Sequence, residues 1–363
     1  FQGIIVKLIY TVAVAVFDPI FFVIVYITYF LYKKNVGIEK HILSFSQESA
    51  FDKVIEATLY GIMIGILGSI SMKWIGIPLE FTKTSLLLLP IAILMSLKNP
   101  RFACFSYATA ILGIIKIILI PQLNFDIPGM ITLVGILHLM EAVLVYTTGA
   151  DGSIPIIIRR NREHVGAYIM QKYWAVPMAL MINTITFYPM CGLLGFGSIA
   201  VTSTPEKKAK KIGLALGIYA TTILIGAIIA TKHSGVQLLI VILVPLLHEL
   251  IYFIDRYLEN NKKPIYVLPE KGVRVLEVVY NSPACKMGIQ RGDVIIKLNN
   301  IEIESITHYY RLIKREHNKV WLNILSINGQ SKILEYEDYS QGITELGIVL
   351  LPKYSLCLYK IIE

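Results

Sequence analysis

The chain has 363 residues, of which 55% are apolar and only 16% charged, whereas a water-soluble domain of this length carries about a quarter charged residues. Its net charge of +9 is dispersed in short basic clusters between long apolar runs, so no nucleic-acid partner is expected. Four cysteines (Cys104, Cys191, Cys285, Cys357) stand far apart with no CxxC pair, which argues against a disulfide framework or a zinc ribbon. Phe1-Gln2-Gly3 reads as the remnant of a protease-cleavage tag and is set aside. Residues 4–263 read as a multispanning helical membrane region, and residues 264–363 have ordinary soluble composition.

A helix needs about 20 apolar residues to cross a bilayer core. Taken in order, the candidate spans are Val16–Tyr32, Val54–Met72, Leu79–Leu97, Phe102–Ile120, Gly129–Thr148, Ile212–Thr231 and Val236–Asp255. Ile4–Val16 either continues the first span or lies flat on the surface. Phe45–Ile55 can lie along the inner surface or serve as a solvated connector. Tyr173–Thr202 is apolar but interrupted by Pro177, Pro189, Gly192, Gly195 and Gly197, so it reads as a broken span or a re-entrant hairpin. The basic clusters Lys33/Lys34/Lys40, Lys98/Arg101, Arg159/Arg160/Arg162, Lys207/Lys208/Lys210/Lys211 and Arg256/Lys262/Lys263 all fall on one side if that stretch does not cross. The reading is therefore a multi-pass cell-membrane protein with its C-terminal module in the cytoplasm.

Ionisable residues at membrane depth are functional candidates by default. Here they are Asp18, the His138/Glu141 pair at helical spacing, and His248/Glu249. A pair such as His138/Glu141 can relay protons, bind a metal or fix helix packing, and the packing role is the plainer one. His248-Glu249 invites comparison with the HExxH zinc helix, but Tyr252 stands where the second histidine belongs. No metal site, cofactor or catalytic residue is expected.

In the C-terminal module, GVRVLEVV (272–279) alternates as a strand burying Val273 and Val275. Ser282-Pro283-Ala284 opens a short helix that ends at Gly288. Arg291-Gly292-Asp293 turns into VIIKL, and Asn299-Asn300 makes a tight turn. A helix capped by Thr307 runs to about Glu316, and two strands flank Asn328-Gly329. The succession GVxVxxVxxxSPAxxxGIxxGDxIxxxN resembles a bacterial PDZ domain, with the groove strand last in the chain, hence circularly permuted. The resemblance implies a peptide-binding site at Glu345, Leu346, Gly347, Ile348 and Val349. The opposing helix would offer His308 and Leu312 to the ligand, with Tyr309 and Ile313 facing the core. A groove that is closed or unused is the alternative.

The whole chain resembles the MinJ family of Gram-positive bacteria. FDPIFFVIVY, PGMITLVGILHLMEAVLVY, PIIIRRNREHVGAYIMQKYWAVP, FGSIAVTSTPEKKAKK and PLLHELIYF carry this resemblance in order. It implies a membrane scaffold, not an enzyme, that recruits cytosolic or membrane proteins through its PDZ domain in cell-division site placement. Lys207, Lys208, Lys210 and Lys211 offer a site for anionic lipid headgroups or an acidic partner, though topology control explains them as well. A transporter or channel with a regulatory PDZ domain is the alternative, and an intramembrane protease relative fits less well. Homo-oligomerisation is left open.

Overall fold

The structure, a computed structural model, describes residues 2–43, 46, 48–160, 163–315, 318–340 and 342–352. Phe1, Phe45, Arg162, Glu316, Cys357 and the module's last residues therefore lie outside the described residues. The helices of the first part are α1 (Gln2–Val16), α2 (Pro19–Leu43), α3 (Ala50–Ile75), α4 (Leu88–Ser96), α5 (Phe105–Ile114) and α6 (Ile127–Thr148). Three strands follow: β1 (Ile154–Arg160), β2 (Glu163–Met181) and β3 (Phe187–Ala200). Then come α7 (Pro205–Lys232) and α8 (Gln237–Asn261).

Each expected span meets a helix, but not all at full length. Pro19–Leu43, Ala50–Ile75, Ile127–Thr148, Pro205–Lys232 and Ser234–Asn261 are long and apolar enough to cross a membrane. Lys83–Ser96 and Phe105–Leu119 are shorter. Thr82 caps the first of these late, Asn99-Pro100 starts a separate turn, and Cys104 caps α5. Ile4–Val16 belongs to a helix of its own, and Asp18 turns the chain into α2 by accepting from the Ile20 amide at 2.8 Å. The residues from Ala50 onward in the expected Phe45–Ile55 connector belong to α3, which Ser49 caps.

The interrupted stretch 173–202 is a β-hairpin, built from β2 and β3, and not a broken helix. Its prolines explain why. The Ile182 amide donates to the Thr186 carbonyl, which makes Met181/Phe187 a non-bonded pair. By alternation, the odd-numbered residues of β2 turn their amides away from β3. Pro177 and Pro189 (opposite Ala179) both fall at positions where no ladder donor is needed. Pro155, opposite Tyr168 on β1, obeys the same rule on the other edge of β2.

The outward edge of β2 is sealed by helices. The Tyr32 hydroxyl accepts from the Tyr173 amide and donates to its carbonyl, both at 3.1 Å. Ser69 accepts from the Ala179 amide at 2.8 Å, and the Leu79 amide donates to the Met181 carbonyl at 2.7 Å. Between these points α3 lies almost on the strand. A Cβ at Gly61 would stand 2.0 Å from the Ala175 carbonyl oxygen, and one at Gly65 1.9 Å from that of Pro177. Only glycine allows this approach, which leaves Cα–H groups facing the carbonyls. A buried ion pair, Lys53–Glu39 at 3.0 Å, ties α3 to α2 nearby.

The C-terminal module begins at β4 (Tyr266–Val267), which continues the line of β3 by pairing with Val165 and Gly166 of β2. It contains β5 (Val273–Val278), α9 (Pro283–Lys286), β6 (Val294–Leu298), β7 (Ile301–Glu302), α10 (Ile306–Ile313), β8 (Lys319–Leu325), β9 (Ser331–Glu337) and β10 (Ile348–Leu350). The sheet order is β10-β5-β6-β8-β9, with β7 paired to β6. The expected turns are present: Gly288, Gly292, Asn299, Asn300 and Gly329 all have positive φ. The helix differs from expectation at its start, because Ser305 rather than Thr307 caps it.

Gly65→Val should destabilise the protein by about 3 kcal/mol or more, above the usual overpacking cost, because a backbone oxygen cannot rotate aside. Gly37→Ala, where a Cβ meets nothing within 4 Å, should change the unfolding midpoint little or raise it. Thermal unfolding of both variants in detergent checks this. Equal losses would remove the α3–β2 approach as an organising contact.

Candidate peptide-binding groove

β10 lies at one end of its sheet and, among the described residues, pairs with β5 alone. The Val279 amide donates to the Gly347 carbonyl at 2.9 Å, and Ile348 faces Val278. Ile348/Val278 is therefore a non-bonded pair, and the Ile348 amide points to the outer edge. One residue earlier, the Leu346 carbonyl accepts from the Ala284 amide at 2.9 Å. In a trans peptide the N–H lies opposite the C=O. The amides of Gly347 and Ile348 thus both turn away from β5 and α9. Gly347 adopts φ 71°, and its amide has no backbone acceptor among the described residues. Two adjacent amides turned outward at the start of a strand with no second partner among the described residues are the kind of backbone arrangement that binds anions.

The expected site residues distribute unevenly around it. Glu345 is exposed, Gly347 and Val349 are half-buried, and Leu346 and Ile348 are buried. His308 is half-buried on α10, and its Nδ1 lies 3.4 Å from the Glu304 amide. Leu312 is only 4% exposed and joins Tyr309 and Ile313 in a core that also holds Leu346 and Ile348. Only His308 of the helix pair therefore shows appreciable surface in this conformation. Burial pushes the Tyr309 phenol well above its ordinary range, with Tyr310 and Glu345 adding to the effect.

The module is docked on the helical part through strand β2. Gly166 lets β5 and β4 approach, because a Cβ there would meet Leu276 at 2.8 Å and Tyr266 at 3.0 Å. The Tyr168 hydroxyl donates to the Leu276 carbonyl. Arg291 pairs with Glu277 at 2.8 Å, donates to the Ser153 hydroxyl at 2.9 Å, and lies over the Tyr168 ring. Burial raises the Glu277 carboxyl above its usual range, against the pull of the Arg291 guanidinium.

The polar residues of the helical part gather elsewhere. His138 is 4.0 Å from Glu141, and His138 Nδ1 lies 2.8 Å from the Val134 carbonyl. His248 Nδ1 is 3.0 Å from the Tyr107 hydroxyl, which donates to Glu249, and Arg101 stands 3.6 Å from the same carboxylate. The two expected pairs thus converge, with the His138 and His248 ring centres 5.3 Å apart. Tyr107, Tyr219 and Cys104 complete the cluster and were not among the expected residues, because no local spacing connects them to α6 or α8. Asp18 stays apart at the α1–α2 junction.

Of the basic run, Lys208 is not available to lipid. It is 2% exposed and pairs with Asp255 and Glu259, each at 3.0 Å, while donating to the Ile199 carbonyl. Lys207, Lys210 and Lys211 are exposed.

The fold defines a protein with several apolar helices followed by a permuted PDZ domain, and the PDZ-domain family model matches residues 274–325. The chain is similar to the cell division topological determinant MinJ of Bacillus subtilis, at 21% identity over 62% of each chain. It is similar to the probable MinJ of Lacticaseibacillus paracasei, at 25% identity over 61% of this chain and 65% of the relative. The serine endoprotease DegS of Haemophilus influenzae is 43% identical over only 68 residues, which are 18% of this chain and 19% of that one. The chain is MinJ-like with a PDZ domain, and it spans 62% and 65% of the length of these two MinJ relatives.

Arg291→Ala leaves Glu277 buried without its partner, so a loss of about 3 kcal/mol is expected. Replacing both residues by leucine should recover much of it. Hydrogen exchange should rise at β4, β5 and the Gly166 end of β2 in the single variant. Unchanged exchange there would mean that the ion pair does not hold the domain in place.

Proposed function

We propose that this protein is a multi-pass membrane-anchored adaptor of cell-division site placement, whose cytoplasmic PDZ domain recruits partners by capturing their C-termini. The observation that carries this reading is the outer edge of β10, where the Gly347 and Ile348 amides turn outward at the head of an unpaired strand. An incoming chain adds as a further strand, its carboxylate meeting those amides and its side chains alternating between α10 and water. His308 and Val349 flank the entrance, and Leu312 marks where a terminal apolar side chain displaces core packing. The division setting rests on the relatives, which carry the name of topological determinants.

Anchoring concentrates the PDZ domain at the membrane surface, so modest peptide affinity suffices for recruitment. The exposed Lys207, Lys210 and Lys211 at the start of α7 sit with the other basic clusters on the proposed cytoplasmic side, where anionic headgroups favour them. Lys208 instead anchors α7 to α8 through its carboxylate pairs.

Two measurements test the proposal. A library of peptides with free C-termini, panned on the full chain in nanodiscs, should yield ligands that lose at least about tenfold in affinity on C-terminal amidation, the loss of one desolvated charged contact. Gly347→Trp should abolish binding, because a Cβ at this position would stand 2.4 Å from Ser282. Ligands indifferent to amidation would remove the carboxylate site whatever the variant does. Separately, alkaline phosphatase fused behind the PDZ domain should be inactive, and an active fusion would reverse the orientation.

A further inference from the structure

Three side chains from three different helices meet where the α4–α5 turn reaches the middle of α6 and α8. They are Cys104, His138 and His248, and one ligand atom from each lies within 4.8 Å of the other two. The Cys104 sulfur is 3.2 Å from His138 Nε2. A tetrahedral zinc ion with ordinary bond lengths sets its ligand atoms about 3.3–3.6 Å apart, so the sulfur and His138 Nε2 are already near that spacing.

The partners of the two histidines prepare them for this role. His138 is 4% exposed, and its Nδ1 faces the Val134 carbonyl, which only accepts. The ring proton therefore sits on Nδ1, and the lone pair is left on Nε2, the nitrogen beside the sulfur. The Tyr107 hydroxyl donates to the Glu249 carboxylate, so it accepts from His248 Nδ1 and leaves the lone pair of that ring on Nε2 as well. Metal-ligating histidines are held in this way, by a carbonyl or a carboxylate relay on the other ring nitrogen. Cys104 is the N-cap of α5, a ten-residue helix, and its sulfur accepts from the Ser106 amide at 3.4 Å. The Cys104 thiol donates to the Ser106 hydroxyl at 3.1 Å, and that hydroxyl donates in turn to Tyr219, which donates to the Val244 carbonyl. Glu141 and Glu249 are the nearby acids and Arg101 the nearby base.

We propose that Cys104, His138 and His248 bind a zinc ion that ties the basic turn before α5 to α6 and α8. On binding, the Cys104 thiol loses its proton to solvent and the sulfur ligates as thiolate, while both imidazoles ligate in their neutral form. Water or Glu141 supplies the fourth ligand. This is a structural cross-link of three helices, independent of the peptide groove.

The test uses the full chain in nanodiscs, stripped with chelator and titrated with Co²⁺ and then Zn²⁺. One equivalent of cobalt should bind with a thiolate-to-metal charge-transfer band, which zinc displaces, and zinc should raise the unfolding midpoint. Cys104→Ser should abolish the band. Tyr107→Phe, which keeps all three ligands, should weaken binding by about 10- to 100-fold, as loss of an outer hydrogen bond does. The triple replacement Cys191→Ser, Cys285→Ser and Cys357→Ser should keep the band intact. No band in the parent chain, a band that survives Cys104→Ser, or a band lost in the triple variant would each overturn the proposal. If Cys104→Ser does not fold, Tyr107→Phe and the triple variant decide it.

Discussion

A peptide group placed among apolar helices must find its hydrogen bonds inside the protein, since lipid offers none. Strand β2 is where this constraint is met, and most of the architecture follows from how. One edge is bonded to β3 along fourteen registered pairs. The other is bonded to β1 at its Gly166 end and closed beyond it by Tyr32, Ser69 and the Leu79 amide, by a proline that has no donor to satisfy, and by two glycines of α3 that bring their backbone against strand carbonyls. These devices come from separate segments of the chain. The strand cannot form without the helices, and α3 has no reason to carry glycines at 61 and 65 without the strand.

The same strand connects the two parts of the molecule. Nineteen residues of extended chain span about 60 Å. The Met181 end lies against α3, and the Gly166 end carries β4 and, through Tyr168, the PDZ strand β5. The PDZ domain is thus held by backbone pairing, by a tyrosine hydroxyl and by the Arg291–Glu277 pair, and not merely tethered by the few residues after α8. Its groove strand β10 pairs with β5, the strand seated on Tyr168. The orientation of β10 relative to the apolar helices is therefore set by β2.

Much of this was legible in the sequence, and what was missed has a common cause. Seven apolar runs announce helices because each meets its own local requirement of length and composition. The PDZ turns announce themselves because Gly288, Gly292, Asn299 and Asn300 each solve a local backbone problem. The β-hairpin did not: Pro177 and Pro189 look like helix breakers, and only the register across two strands shows that they sit where no amide is wanted. Lys208 read as one cation in a run of four, yet its pairing with Asp255 and Glu259 depends on α7 packing against α8, some fifty residues away. In α10 the four-residue spacing of His308 and Leu312 does not reveal how far the core draws Leu312 in. Cys104 and the two histidines lie 34 and 110 residues apart in sequence, and nothing short of the packed helices brings them together.

The molecule carries two kinds of strand edge, and their contrast bears on what it does. The edge of β2 among the apolar helices is sealed by side chains and glycine contacts from those helices. β10 is short and is left without a second strand partner among the described residues. Short edge strands resist indiscriminate pairing, because three residues offer too few hydrogen bonds to hold a chance neighbour. On the proposed reading, binding there draws on something more than ladder bonds, which the outward amides of Gly347 and Ile348 would supply to a chain that ends in a carboxylate. A free C-terminus is rare along any polypeptide, so an edge too weak to pair with internal segments gains selectivity from the same geometry that limits its strength.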